Sequence, residues 1–375
     1  MAPQIAIIGA GMGGLTLAAA LNQRGIEARI YEQAKGFVRL GAGIQMSPNA
    51  MRVLRGIGLE PRIRATAFQP RSWTNRDWDT GALTNELPLG ADAETKYGAP
   101  YLLMHRGDLH EALASRVPSG QIALDKKLID LDWRSGGVTL QFADRSTVKA
   151  DAVIAADGIH SRVRELWLGT EKANYTRRVA YRTTFPAALL KGTAIDDSCK
   201  WWGPDRHIVI YYVTANRDEV YFVTSVPEPG FTVESWSATG DLGKLRAAFA
   251  GFHEQVQRVV QACPGVHKWA IVDRDPLPGW SEGPMVLLGD AAHPMTQYMA
   301  QGAATAMEDA VVLSRCIAEQ PQDLQAAFAR FAKARRERTA RIQGTSQQNT
   351  FMRQPTNPDW VYGYDAWSEP LPEYA

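Results

Sequence analysis

The sequence predicts an α/β fold in which a Rossmann-like domain is interleaved with a β-sheet domain and followed by a long C-terminal helix. Three stretches predict it: QIAIIGAGMGGLTLAAALNQRGIEARIYEQA at 4–34, VKADAVIAADGIHSRVRELWLG at 148–169, and GPMVLLGDAAHPM, which leads through a loop of small residues into GAATAMEDAVVLSRCIAEQ, at 283–320.

In the first, IAIIG is a short apolar strand, GGLTLAAALNQRG a helix ended by Gly25, and EARIYE a second strand, which together make a βαβ unit. Gly9, Gly11 and Gly14 have the G-x-G-x-x-G spacing: a tight turn, room for backbone to approach a pyrophosphate, and close packing of helix on strand. The amides of the helix N-terminus then face the phosphates. Glu32 closes the second strand, where a carboxylate can accept hydrogen bonds from both ribose hydroxyls. That acid suits NAD or the adenosine half of FAD and repels the phosphate of NADP, so the motif alone leaves the dinucleotide open.

In the second stretch ADAVIAAD is a strand ending at Asp157 and Gly158, and Ser161 sits near the N-cap of the helix SRVRELWL. A strand returning to the first unit's sheet brings Asp157 close to the dinucleotide. In the third, an apolar strand ends near Asp290, and Gly302, Ala303 and Ala304 open a helix with side chains small enough to expose backbone amides. Small residues let a flat ring or a phosphate touch backbone, and Asp290 can accept a hydrogen bond from a polyol hydroxyl. Close helix packing explains the same alanines and glycines equally well if the stretch is taken alone.

Between 175 and 280, VAYRTTFPA, WGPDRHIVIYYVT and EVYFVTSVP read as strands of β-branched and aromatic residues. QDLQAAFARFAKARRERTARIQG is an amphipathic helix with Leu324, Phe328 and Phe331 at helical spacing, and its Arg-rich face reads as solvated. The aromatic tail DWVYGYDAW is expected to pack on the body or on a partner subunit, which leaves a homodimer open.

Composition narrows the function. The 375 residues are 45% hydrophobic, enough for a large core, and 41 Lys plus Arg against 40 Asp plus Glu leaves no field to draw the chain to nucleic acid or an anionic membrane. Cys199, Cys263 and Cys316 are far apart and without metal-ligand spacing, so no metal is expected and a reducing cytoplasm is. No leader segment or membrane span is read from the sequence.

The ordered set GAGMGG, Glu32, HRGDL, ADG and GDAAHPMTQYMAQG resembles the aromatic-ring hydroxylases, the single-component FAD monooxygenases with the para-hydroxybenzoate hydroxylase fold, over nearly the whole chain. KWWGPDRHIVIYY, RDEVYFVT, HPMTQYMAQGA and NPDWVYGYD look like the hydroxynicotinate-oxidising branch of that family. The resemblance implies that the first motif holds the ADP part of FAD, with Leu128 by the adenine. It implies that Arg106 holds the cofactor, that Asp157 lies near FAD and the nicotinamide, that Asp290 contacts the ribityl chain, and that Gly302 and Ala303 offer backbone to the flavin ring. It divides the chain into a discontinuous FAD-binding domain (1–72, 100–174 and 276–345), a substrate-binding sheet domain (73–99 and 175–275) and a tail (346–375).

The resemblance also implies the reaction. Transiently bound NADH or NADPH reduces FAD, O2 is activated, and an electron-rich aromatic ring takes one oxygen, with the ring carboxylate leaving as CO2 in the branch this sequence looks like. Tyr211 matches a tyrosine that orients or deprotonates the substrate hydroxyl, and His207 a neighbouring histidine. Three positions depart from that branch: Gln45 stands where it has a histidine base, Tyr298 replaces a pocket histidine, and Ser198 replaces a cysteine. Glutamine takes up no proton at ordinary pH. The expected substrate is therefore a different small aromatic, such as another hydroxypyridine carboxylate, a hydroxybenzoate or an aminobenzoate, with hydroxylation lacking CO2 loss as the alternative.

Other classes fit less of the chain. An NAD-dependent dehydrogenase explains Glu32 and the glycines but not Arg106, Asp157 and Asp290. A non-catalytic binding protein on the FAD fold would have a damaged phosphate cradle, and here it is intact. A flavin halogenase would carry W-x-W-x-I-P, which KWWGPDR does not match.

Overall fold

The computed structural model describes residues 3–39, 42–133, 137–231 and 238–374; Gly41, which opens the stretch GAGIQMSPNAM around Gln45, lies outside them. Among the described residues, the strands Ser281–Glu282, Met285–Leu287, Ala152–Ala155, Ile5–Ile8, Ala28–Tyr31 and Ile122–Ala123 form one sheet in that order. Ile5–Ile8 pairs in parallel with both Ala28–Tyr31 and Ala152–Ala155, and Ala152–Ala155 pairs in parallel with Met285–Leu287. The three stretches singled out above thus lie side by side, with the carboxyl ends of their strands at one edge. In open parallel sheets that edge is where ligands bind.

Four apolar residues in a row suit a strand covered on both faces, and Ile5–Ile8 and Ala152–Ala155 are buried throughout. The helix Met12–Asn22 covers one face and packs against the helix Gly302–Glu319. The small residues of the third stretch divide between two tasks. Ala306 packs beside Gly13 and Gly289, where a Cβ on either glycine would meet the Ala306 methyl at 3.4 and 2.9 Å. Gly302 and Ala303 instead face a chamber described below.

A second sheet runs His267–Asp273, Asn174–Pro186, Glu219–Pro227, His207–Tyr212, Ser198–Trp202, Ser72–Asp77 and Leu83–Pro88. The Ser72–Asp77 strand joins it in parallel, Asn75 opposite Lys200. A strap of two strands, Gly43–Met46 and Leu102–His105, pairs antiparallel.

The long helix spans Leu324–Gln348. Its arginines correct the expectation of a solvated face: Arg335 is 0% exposed and pairs with Asp309 (Nε to Oδ1, 2.7 Å) and Glu308 (Nη2 to Oε2, 2.6 Å) on the helix Gly302–Glu319. Arg338 donates to Glu308 as well, and Arg341 lies over the Trp360 ring at 3.9 Å. The aromatic tail packs on the body, with Ala366, Val361 and Tyr362 buried. No helix of the described residues is long and apolar enough to cross a membrane.

Candidate active site

Three spaces run in sequence along the junction of the two large sheets. The outer one is a cleft lined by Gly9, Gly11, Glu32, Leu128, Asp157 and Arg162 among others. It meets a middle chamber at Arg106, Ile159 and Asp290. The middle chamber meets a smaller inner one at Gln45, Val223, Gln297 and Ala300.

The outer cleft has the chemistry of a dinucleotide cradle. The helix Met12–Asn22 begins at Gly11 without a side-chain cap, so its first amides remain available to an anion. A Cβ on Gly14 would lie 2.1 Å from the Gly9 carbonyl oxygen, and one on Gly9, at φ +101°, 2.5 Å from that of Ala156; on Gly11 nothing is nearer than 4.0 Å. The first and third glycine positions therefore serve packing, and the middle one serves approach from the cleft.

Glu32 accepts from the amides of Ala10 (Oε2, 2.7 Å) and Ala34 (Oε1, 2.8 Å), which anchors the carboxylate and leaves each oxygen a further lone pair for a hydroxyl. Ser161 caps its helix as expected, accepting from Arg164 N at 3.0 Å. Asp157 adds to that cap: its Oδ2 accepts from the amides of Arg162 and Val163, whereas its buried Oδ1 has no partner. Burial pushes the carboxyl groups of Asp157 and Asp290 above the usual range, the latter eased by His293 and Arg106. The side chain of Asp290 makes no hydrogen bond to a described residue, which suits a wall waiting for a polyol.

The middle chamber is flat-walled. Gly43, Ile44 and Gln45 of the strap form one side; Gly302 and Ala303, at the uncapped start of their helix, form another. A Cβ on Gly43 would sit 2.6 Å from the Tyr221 ring and 2.8 Å from the Tyr211 hydroxyl, so the strap rests on these tyrosines. Tyr211 lines this chamber and is absent from the lining of the inner one. Burial, with Tyr221 beside it, pushes its hydroxyl well above the ordinary tyrosine value, so it is a phenol at neutral pH and suited to hydrogen bonding. Tyr211→Phe should therefore lower kcat/KM about tenfold, the worth of one hydrogen bond, and leave the pH–rate profile unchanged up to about pH 9. A basic limb that disappears in the variant would show instead that Tyr211 titrates during turnover.

The inner chamber holds Gln45, His207 and Tyr298. The Tyr101 hydroxyl donates to Gln45 Oε1 at 2.5 Å, and the Gln45 side chain also bonds the Tyr211 hydroxyl, which leaves one amide N–H. Tyr298 shares a 2.9 Å hydrogen bond with Ser225 and lies edge-on to the His207 ring, 5.4 Å between centroids. His207 is 3% exposed and makes no hydrogen bond to a described residue; burial, then the cations Lys200, Arg178 and Arg353, push its pKa well below the ordinary value and keep it neutral. Ser198 does not line the chamber. It is fully buried with its hydroxyl unpartnered, on the same strand face as Lys200 but two residues away, because pairing opposite Tyr211 carries that end of the strand past the chamber wall.

Several lining residues carry no motif. Trp73 and Tyr101 come from the parallel strand and the strap connection, Lys200 from a strand, and Phe351, Met352 and Tyr362 from the C-terminal segment. The carbonyl of Met352 is held by Asn75 and by Asn85 (3.0 Å). The one signal in the sequence is the charge of Lys200 inside an otherwise apolar alternating run, since a buried lysine is rare without a task. The tail residues gave no such signal, because an aromatic segment packs on any apolar surface.

Comparison with known proteins identifies the arrangement. The family described as FAD binding domain matches residues 3–349. A 6-hydroxynicotinate 3-monooxygenase from Bordetella bronchiseptica is 48% identical over 99% of this chain and 97% of its own. A 3-amino-4-hydroxybenzoate 2-monooxygenase from Streptomyces cremeus is 39% identical over 90% of this chain and 84% of its own. Among solved structures, Klebsiella pneumoniae HpxO complexed with FAD and uric acid superposes with a TM-score of 0.82 at 27% identity, over 96% of this chain and 90% of that one. With its cofactor FAD and its co-substrates NAD(P)H and O2, the chain belongs to the single-component FAD-dependent aromatic monooxygenases.

Proposed function

We propose that this protein hydroxylates a small electron-rich aromatic or N-heteroaromatic carboxylate, of the hydroxypyridine carboxylate, hydroxybenzoate or aminobenzoate kind, with the entering hydroxyl replacing the carboxylate. The observation that carries the reading is the inner chamber, walled by rings and reached from the middle chamber across Gln45, Val223, Gln297 and Ala300. The residues fit FAD: the Gly9–Gly11–Gly14 turn and Glu32 for the ADP end, with Leu128 at the adenine. Arg106, Asp157 and Asp290 serve the linking chain, and Gly302 and Ala303 the ring. Bound there and reduced by NAD(P)H, FAD supplies the activated oxygen. On this reading the cofactor lies on segments 1–72, 100–174 and 276–345, and the substrate against 73–99 and 175–275, with the tail closing the far wall.

The protein's own part is to orient and to keep water out. Gln45, with Tyr101 on its carbonyl and Tyr211 beside its amide, offers one N–H donor to a ring hydroxyl or ring nitrogen at the shared wall. Neutral His207 donates or accepts one hydrogen bond without bringing a charge. In the overall balance the bond from ring carbon to carboxylate breaks with its electron pair returning to the ring; one atom of O2 enters the ring and the other leaves as water. NAD(P)H supplies the electron pair and CO2 departs.

The test is NADH oxidation by purified yellow protein across hydroxy- and amino-substituted aromatic acids, with CO2 and peroxide measured. A compound that accelerates flavin reduction and gives product with stoichiometric CO2 is the expected result. Product without CO2 would leave hydroxylation and remove the carboxylate displacement. 6-Hydroxynicotinate as the best substrate would overturn the inference drawn from Gln45, Tyr298 and Ser198 that the substrate differs.

A further inference from the structure

The basic side chains of the inner chamber meet no carboxylate in its lining. Its lining includes Lys200 and His207 and contains no aspartate or glutamate. Lys200 is 3% exposed, with its Nζ 3.7 Å from the Trp202 ring centroid, 5.8 Å from that of Tyr298 and 3.3 Å from Asn349 Oδ1. An ammonium has three donors, and a described residue engages one of them. No carboxylate of the described residues forms an ion pair with it. The charge that bears on it is a second cation, Arg353, itself over the Trp202 ring at 5.2 Å.

A lysine buried without a counter-ion is destabilising in its charged form, and an arriving anion is what completes the pair. Asn349 shows that the amine is held in position. It ends the long helix in the left-handed conformation, φ +51°, and its side-chain carbonyl faces Lys200. Two rings bracket the amine, which restricts its flexible stem at the chamber wall.

We propose that Lys200 is the specificity-determining residue of the inner chamber, pairing with the carboxylate of the aromatic substrate. The assignment rests on the carboxylate reading above and adds to it the group that enforces it. It also answers the loss of the base histidine at Gln45: selection for the acid is carried by an amine on the opposite, sheet-side wall and not by the strap.

The pairing has a proton consequence. Burial, and then Arg353, push the Lys200 amine well below the ordinary lysine value, so the free chamber favours the neutral amine and an arriving carboxylate favours the ammonium. The other titratable and charged groups around it are His207 on the adjacent strand, Tyr298 on the Gln297–Met299 turn, Arg353 of the C-terminal segment, and Arg178 near His207. Neutral Asn75 lies opposite on the parallel strand. Binding of the anion thus takes up a proton, and affinity falls as pH rises.

The experiment uses the flavin-bound protein and matched probe pairs, hydroxybenzoate against hydroxybenzamide and hydroxynicotinate against hydroxynicotinamide, titrated by the change in flavin absorbance. The native protein is expected to prefer each acid over its amide and to take up a proton on binding the acid. Lys200→Met, which keeps the length of the stem, should weaken the acids roughly 100-fold, leave the amides within about threefold, and abolish the proton uptake. Lys200→Gln should do the same, and both variants should retain flavin, which reports an intact fold. A Lys200→Met protein that keeps the native acid-to-amide ratio, or an Arg353→Met protein that loses it while Lys200→Met does not, would overturn the proposal. If the native protein itself binds none of the acids, the carboxylate reading fails; if it binds them and Lys200→Met still prefers them, only the role of Lys200 fails.

Discussion

Arg335→Met lowers the unfolding free energy by about 3–5 kcal/mol, the expected loss when one partner of a fully buried ion cluster is removed. Glu308 and Asp309 are both 0% exposed and would face each other's charge with Arg335 gone; Arg338 still reaches Glu308, but Asp309 keeps only His293 and the Gly289 amide. The damage reaches the site because this cluster is tied to one wall of the middle chamber. Glu308 Oε1 accepts from Asn49 at 2.6 Å, Asn49 donates also to Gln301, and Gln301 donates to Ser47, so the helix Pro48–Gly56 that follows the strap, the loop before Gly302 and the long helix share one network. Flavin should therefore be held more weakly as well.

The pH dependence gives a second reading of the same cluster. Burial alone would raise both carboxyl groups, but Arg338 and Arg335 at Glu308, and His293 and Arg335 at Asp309, hold them below the usual range. A folded-state pKa below the unfolded value of about 4 contributes stability above that pH, and the contribution is lost as pH falls through the folded value. In Arg335→Met the burial effect prevails at Asp309, its folded value rises, and the sign reverses: the deficit against the native protein shrinks on acidification from about pH 7 to about pH 5. Urea unfolding at both pH values measures this. A deficit under about 1 kcal/mol at pH 7, or one that widens in acid, would contradict the account. Adding Asp309→Asn to Arg335→Met should recover part of the loss, since it removes the stranded charge.

Gly11→Ala and Gly14→Ala should both yield colourless protein, but for different reasons. At Gly14 the new methyl would lie 2.1 Å from a backbone carbonyl in the turn it supports, so the strand-to-helix junction must shift and stability falls with flavin binding. At Gly11 the nearest atom is 4.0 Å away, so the flavin-free protein should be as stable as the native one while the methyl occupies the approach to the helix N-terminus. The expected loss of FAD affinity at Gly11 is on the order of 100-fold, equivalent to about 2.8 kcal/mol. Calorimetric titration of the flavin-free proteins with FAD separates the two cases. A Gly11→Ala protein that binds FAD normally would place the pyrophosphate elsewhere.

The sequence by itself determined the cofactor half of this protein. A dinucleotide cradle is made of backbone, and backbone demands are local: the glycine spacing and Glu32 at the end of the next strand act through neighbours within one βαβ unit, and the apolar runs Ile5–Ile8 and Ala152–Ala155 each mark a buried strand by their own residues. The sheet strands between 175 and 280 were legible for the same reason, and Glu219–Pro227 coincides with EVYFVTSVP. Only the tertiary structure decided the substrate half. Its chamber is assembled from the strap at Gln45, the strand at Lys200, the turn at Tyr298 and the tail at Phe351, segments as much as 306 positions apart between Gln45 and Phe351. No periodicity links them. It also decided that Tyr211 lines the middle chamber, that Ser198 falls short of the inner wall, and that Arg335 of a helix with an Arg-rich face is buried in the core, because each depends on which surface packs against it and not on its own neighbours in the chain.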